Sequence, residues 1–326
     1  MPAESPAACK KLLIIGATGL IGKFITEALV QNTSKFDRIA ILTSSATVQN
    51  KAQEIENLKK EGVDIIVGDV TNSKDVVEAY RDIDTVISAV GRDVIEHQVE
   101  LIRLANESDT VHRFFPSEYG TDIEYSPASA NEKPHQKKLI VRAAIKKCDK
   151  LDYTYVVTGP YADLCLGPMM GQLGSFDVKK KEAVLLGDDD IKTSYTTMRE
   201  TSQADGDSVG KLVTLAALHP DASRNKALKV NSFTATNLEI LQEFEKQTGS
   251  KWKVSYTSMD QLKKIEKEAW SSGTPMATGA TLRRIWAEGG TLYEKRDNHL
   301  IEAENIVDTL EDAVAEAIKQ QTKSMI

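Results

Sequence analysis

Apolar residues in the first half of the chain fall in short unbroken runs separated by longer amphipathic stretches. The runs lie at residues 11–15, 39–42, 63–67, 85–88, 112–115 and 153–157. Each is short and continuous rather than alternating, which predicts strands buried on both faces. Between them, residues 21–30, 51–60, 73–80, 94–106 and 136–147 repeat apolar positions at helical spacing. In the first of these, Ile21, Phe24, Ile25, Leu29 and Val30 share one face. Strand alternating with helix predicts a parallel sheet with crossover helices on both sides. One long loop, residues 116–135, interrupts the rhythm.

After Gly159-Pro160 the pattern changes. Met169, Met170, Gly171, Leu173 and Gly174 predict an adaptable apolar segment rather than another sheet unit. Residues 205–218 predict a helix returning to the core, and Leu228-Lys229-Val230 a late strand. Residues 238–248, 259–270, 281–286 and 304–319 predict a mainly helical terminal region. Leu310, Val314 and Ile318 supply the last helix with a docking face.

The first strand runs into Gly16-Ala17-Thr18-Gly19-Leu20-Ile21-Gly22, and a helix follows. A strand, a glycine turn and a helix N-terminus bring backbone N–H groups to a phosphate, and glycine lets the backbone approach it. This placement predicts dinucleotide binding. A phosphate-loop nucleotidase is disfavoured because Gly22-Lys23 lacks the preceding G-x-x-x-x-G-K-[ST] arrangement. The second strand ends in Leu42-Thr43-Ser44-Ser45, without the carboxylate that would bind an unphosphorylated ribose. NADP(H) is therefore the expected cofactor. Ser44 is placed to donate a hydrogen bond, and Lys51 either supplies charge or faces solvent. Asp69 either orients a loop near the adenine or caps a turn. The small residues of Ser88-Ala89-Val90-Gly91 leave room for a cofactor at the fourth strand's end.

The fold class expected is α/β: a Rossmann-like, doubly wound parallel sheet with a smaller, mainly helical substrate-side region. Residues 1–160 form the nucleotide-binding unit, completed by 205–235. Residues 161–204 and 236–326 form the smaller, substrate-binding region. The net charge of −7 gives no support to polyanion binding. Cys9, Cys148 and Cys165 make neither a disulfide framework nor a thiolate metal set, and the histidines form no paired ligand motif. No apolar run is long enough to span a bilayer. A cytoplasmic protein is expected, a monomer or homodimer, with a small-molecule substrate and no nucleic-acid, membrane or metal partner.

Arg113-Phe114-Phe115-Pro116-Ser117-Glu118-Tyr119-Gly120 leads on to Lys137-Lys138-Leu139-Ile140-Val141-Arg142. With Gly16–Gly22 and Tyr153-Thr154-Tyr155-Val156-Val157, these segments resemble, in order, the isoflavone reductase and phenylcoumaran benzylic ether reductase family. That family lies within the NmrA-like atypical short-chain dehydrogenases, and the resemblance covers almost the full chain. It implies an NADPH-dependent reductase with its catalytic lysine at Lys138, Lys137 being the neighbouring alternative. The two side chains point about 100° apart on a helix. Lys138 would bind the nicotinamide ribose, transfer a proton or stabilise oxygen charge on the substrate. The Tyr-x-x-x-Lys pair of the usual short-chain dehydrogenases is absent.

The candidate cofactor contacts are thus Gly16, Thr18, Gly19, Leu20 and Ile21 in the turn, and Ser44 and Lys51 beyond the second strand. Ala89, Val90, Lys138 and Pro160 complete the set, Pro160 through a backbone contact that the resemblance implies. Tyr161, Met169, Met170 and Phe176 are candidate substrate-pocket residues or core packing, and His135 is a candidate auxiliary proton shuttle. Gly159-Pro160-Tyr161-Ala162-Asp163-Leu164 departs from the asparagine- and serine-rich plant version, which puts isoflavone or lignan chemistry in doubt. The expected activity is hydride transfer from NADPH to a small aromatic or conjugated carbonyl or benzylic ether substrate. The competing reading is an NmrA-like NADP(H)-binding redox sensor or regulatory protein without turnover.

Overall fold

The computed structural model describes residues 8–168, 170–198 and 209–323. Its strands are β1 (Lys11–Ile15), β2 (Arg38–Thr43), β3 (Asp64–Val67), β4 (Thr85–Ser88), β5 (Arg113–Phe115) and β6 (Asp152–Val157). There follow β7 (Ser175–Asp177), β8 (Glu182–Leu186), β9 (Lys192–Tyr195), β10 (Lys226–Lys229), β11 (Phe233–Thr236) and β12 (Lys253–Thr257). Seven of them form one sheet in the order β10-β6-β5-β4-β1-β2-β3. All its pairings are parallel, and β1 lies between β2 and β4, with Leu13 opposite Ala40 and Val86.

The unbroken apolar runs follow from burial on both faces. Leu12, Ile14, Ile39, Ile41, Ile87 and Val156 face the helices Gly22–Val30 and Val209–Leu218. Leu13, Ile15, Ala40, Leu42, Val86 and Val157 face the helices Ser73–Ala79, Gln98–Glu107 and Gln136–Ile145. Each such leucine or isoleucine contributes about 1.5–3 kcal/mol on full burial. The helix Val209–Leu218 and strand β10 complete this layer from late in the sequence. Gly210 permits that helix to touch the first one, since a Cβ there would stand 2.0 Å from the Phe24 carbonyl oxygen. Residues 205–208 of the expected helix lie outside the described residues.

The smaller region carries the expected helices and, beside them, short strands. Strand β8 pairs antiparallel with β7 and parallel with β12, and β9 pairs antiparallel with β11. These strands cover stretches where the apolar pattern predicted none. Helices Asn237–Thr248 and Met259–Ser272 begin at capping boxes, Thr236 with Glu239 and Ser258 with Gln261. Both end at a left-handed glycine, Gly249 and Gly273. The last two helices, Ala277–Ala287 and Leu310–Lys323, pack beside the C-terminal edge of the large sheet, and the latter starts six residues later than the pattern predicted. The expected helix is present as Ala52–Lys60, a further helix, Ser45–Asn50, precedes it, and Lys51 sits between them.

Candidate active site

Gly16 turns the chain out of β1 with φ +84°, and a Cβ there would lie 2.6 Å from the Ala89 carbonyl oxygen. At Gly22 a Cβ would come within 1.9 Å of the Gly16 carbonyl. Side chains at either position would therefore push the turn away from β4 and from its own helix. The Gly19 N–H closes the turn on the Gly16 carbonyl at 3.0 Å, and the Ala89 N–H bonds the Ile15 carbonyl at 2.7 Å. The following helix starts at Ile21 with no side-chain cap. An uncapped N-terminus on a glycine-rich turn fits a pyrophosphate, because backbone donors and the positive helix end converge there.

Beyond β2, Ser44 caps the helix Ser45–Asn50 by accepting the Thr47 N–H at 3.2 Å. The Lys51 ammonium donates to the Thr18 carbonyl and pairs with Glu54 at 3.5 Å. Lys51 is thus drawn against the glycine turn while its side chain stays partly exposed. Asp69 caps its own turn: Oδ1 accepts the Thr71 N–H and hydroxyl, each at 2.8 Å, and these bonds hold its pKa below the usual value.

A cavity of about 1050 Å³ opens from the turn, at Gly19, Leu20 and Ile21, along Ala89 and Val90 at the end of β4. It continues past Tyr119, His135 and Lys138 to Pro160 and Tyr161, then under the two last helices. The segment after β6 is fixed from both sides. The Gly120 carbonyl accepts the Thr158 and Gly159 N–H groups, and the Pro160 carbonyl accepts that of Thr196 at 3.0 Å. Gly159, at φ +69°, meets the Ser194 carbonyl so closely that a Cβ would stand 2.3 Å from it.

Lys138 and Lys137 lie in the first turn of the helix Gln136–Ile145 and part company as their helical spacing requires. Lys137 pairs with Glu96 at 3.1 Å on the surface. The Lys138 ammonium donates to the Glu118 carbonyl at 2.7 Å beside the cavity. Burial lowers its pKa to about 8; Glu118 opposes the shift, and Arg92 and Arg142 reinforce it. One turn further on, Arg142 is buried and grips both carboxylate oxygens of Glu118, at 3.0 and 3.1 Å, and Glu124 at 2.6 Å. Its guanidinium also lies 4.4 Å above the Tyr155 ring. The loop that receives the lysine is therefore locked by the helix that carries it.

Of the expected pocket wall, Tyr161 and Met170 line the cavity, and the Tyr161 hydroxyl donates to the Tyr119 carbonyl at 2.8 Å. Met169 lies outside the described residues. Phe176 does not line the cavity: it sits in β7, where its side chain stacks on Phe244 at 5.1 Å between ring centres, in the core of the smaller region. The helix Ala277–Ala287 was expected over 281–286, but its place beside the cavity was not. Gly279, Leu282, Arg283 and Trp286 follow i, i+3, i+4, i+7 spacing and present one face to the cavity. The Trp286 Nε1–H donates to the Thr121 hydroxyl at 2.8 Å, and Arg283 to the Leu164 carbonyl at 3.3 Å. Among the described residues, no cluster of His, Cys, Asp and Glu could hold a metal ion, and no helix is long and apolar enough to cross a membrane.

The isoflavone reductase of Pisum sativum is 31% identical over 268 residues, spanning 78% of this chain and 80% of that protein. Phenylcoumaran benzylic ether reductase Pyrc5 of Pyrus communis is 30% identical over 266 residues, 81% of this chain and 82% of its own. In fold, the chain resembles the binary complex of leucoanthocyanidin reductase with NADPH from Vitis vinifera. The TM-score is 0.77 at 21% identity, over 95% of this chain and 99% of that one. The NmrA-like family model matches residues 8–319. The chain belongs to the NmrA-like family, in its isoflavone reductase and phenylcoumaran benzylic ether reductase-like branch.

Proposed function

We propose that the chain is an NADPH-dependent reductase acting on a small aromatic or conjugated carbonyl or benzylic ether. The observation that carries this reading is the Lys138 ammonium, held beside a large cavity that begins at the glycine turn. The relatives named as reductases, and a neighbouring structure solved with NADPH, support the same reading.

Gly16, Thr18, Gly19, Leu20 and Ile21 hold the pyrophosphate through backbone donors and the helix N-terminus. Ser44 and Lys51 receive the 2′-phosphate, where a carboxylate would have repelled it. Ala89, Val90 and Pro160 border the nicotinamide half, and Lys138 reaches its ribose. NADPH bound there supplies a hydride from C4. Lys138 holds a proton against the substrate oxygen: a carbonyl becomes an alcohol, or an ether oxygen leaves as a hydroxyl. A pKa near 8 suits this role, since about nine lysines in ten carry the proton at pH 7 and still give it up readily. Tyr161, Met170, Leu282 and Trp286 form a largely apolar wall for an aromatic substrate.

The test is NADPH oxidation over a panel of aromatic ketones, enones and benzylic ethers, with wild type and Lys138→Ala compared on the best substrate. The expected result is a loss of about 10²-fold or more in kcat/KM with NADPH affinity retained within a few fold. Undiminished turnover in Lys138→Ala would remove the lysine from the chemistry. NADPH binding without turnover on any member would favour a cofactor-sensing protein.

A further inference from the structure

The polar atoms of the cavity wall are mostly taken up within the protein. Lys138 donates to the Glu118 carbonyl, Tyr161 to the Tyr119 carbonyl, Ser117 to the Val90 carbonyl, and Trp286 to the Thr121 hydroxyl. Two buried atoms on cavity-lining residues have no hydrogen-bond partner among the described residues: the Tyr119 hydroxyl and His135 Nε2. A hydroxyl can turn to donate or accept, but the imidazole edge is fixed. His135 Nδ1 lies 3.3 Å from the Ser129 carbonyl, which only accepts, so Nδ1 carries the hydrogen. Burial favours the neutral ring and Lys138 adds to this, while the Ser129 carbonyl, Glu132 and Glu118 oppose it. Nε2 is left with a bare lone pair, three residues before Lys138 and on the same side of the chain.

The ring cannot easily swing away to find another partner. Tyr125 packs edge-on against it at 6.1 Å, and the preceding Glu132 is pinned by Arg284 at 2.5 Å from the helix Ala277–Ala287. We propose that His135 Nε2 is a substrate-binding acceptor, which takes a hydrogen bond from a hydroxyl of the substrate placed next to the Lys138 ammonium. This rests on the reading of the cavity as the place of reduction and adds to it a specificity residue. Lys138 donates to the oxygen that is reduced; His135 selects substrates that carry a second, donating oxygen and disfavours their methyl ethers. The buried lone pair gains a partner only from the former.

The test uses the full chain with 15N-labelled histidine and NADP+ present, and two fragments, 4-ethylphenol and 4-ethylanisole. The His135 signals should show a neutral ring protonated at Nδ1, and 4-ethylphenol should move the Nε2 resonance toward that of a hydrogen-bonded nitrogen. 4-Ethylphenol should bind about tenfold more tightly than 4-ethylanisole. His135→Phe should abolish that preference. His135→Asn, which keeps a donor toward Ser129 but has no atom at Nε2, should abolish it too should the phenylalanine variant not fold. His135→Gln should restore part of it. A ring protonated at Nε2, an Nε2 signal that 4-ethylphenol leaves unmoved, or a preference that survives in the variants would each overturn the proposal. None of these readouts needs turnover, so failure of the reductase reading is seen separately, in NADPH oxidation.

Discussion

Lys138 meets Glu118 through the backbone, while the Glu118 side chain is held by Arg142 one helical turn away. The ammonium therefore gains a fixed carbonyl acceptor but no carboxylate of its own, and burial can lower its pKa. The proton must be present for the lysine to act as an acid. kcat/KM should therefore stay level at neutral pH and fall up to tenfold per unit as pH rises through about 8. A profile that rises across this range would assign the lysine the opposite role, that of a base. In Lys138→Met the step should vanish along with most of the activity. Arg142 belongs to the same unit. Arg142→Met leaves the buried Glu118 carboxylate unpaired and should cost about 3–5 kcal/mol in denaturant unfolding. Adding Glu118→Leu to that variant should recover part of the loss, because the uncompensated charge is then gone. A single variant as stable as wild type would show that the pair can be dissolved without penalty.

Helix Gly22–Val30 connects the cofactor turn to the late helix Val209–Leu218, and their contact depends on one missing Cβ. Gly210→Ala would place a methyl 2.0 Å from the Phe24 carbonyl, well inside contact distance. Parting the helices should cost about 1–3 kcal/mol, seen as a lower urea midpoint with an unchanged slope. An unaltered midpoint would mean that the two helices slide apart freely. Strands β1, β2 and β4 of this layer were legible because their apolar residues run together without a break. Strands β7 (Ser175-Phe176-Asp177) and β9 (Lys192-Thr193-Ser194-Tyr195) were not, because each holds one aromatic residue among polar ones. Their pairing partners, not their composition, make them strands. Phe176 was misplaced for the same reason: a strand aims it at Phe244, whereas its apolar neighbours Met170 and Leu173 pointed to a pocket wall. Lys138 stood out in the sequence through its place after a distinctive loop, and it lines the cavity. Helical phase separates it from Lys137, which also borders the cavity but pairs with Glu96. The contribution of Trp286 was hidden because its partner, Thr121, is 165 residues away in the chain.

At the scale of the molecule, the cavity belongs to no single layer. Its floor is the C-terminal edge of the parallel sheet, and its roof is the helices Ala277–Ala287 and Leu310–Lys323. Trp286 on Thr121 and Arg284 on Glu132 join the roof to the floor, and Gln321 donates to the Leu166 and Phe176 carbonyls at the far end. A ligand bound across this junction stabilises the native arrangement through its affinity for the folded state alone. NADPH at a hundred times its dissociation constant should add about 2.7 kcal/mol, which for a chain of this size raises the unfolding temperature by roughly 5 °C. NADH at the same concentration should raise it less, since Lys51 beside the glycine turn then has no 2′-phosphate to meet. Lys51→Ala should bring the NADPH shift down toward the NADH shift while leaving the latter nearly in place. Equal shifts for both coenzymes in the wild type, unmoved by Lys51→Ala, would place the cofactor choice elsewhere than at the end of β2. A reduced NADPH shift confined to the variant would fix it at this one lysine, held between the Thr18 carbonyl and Glu54.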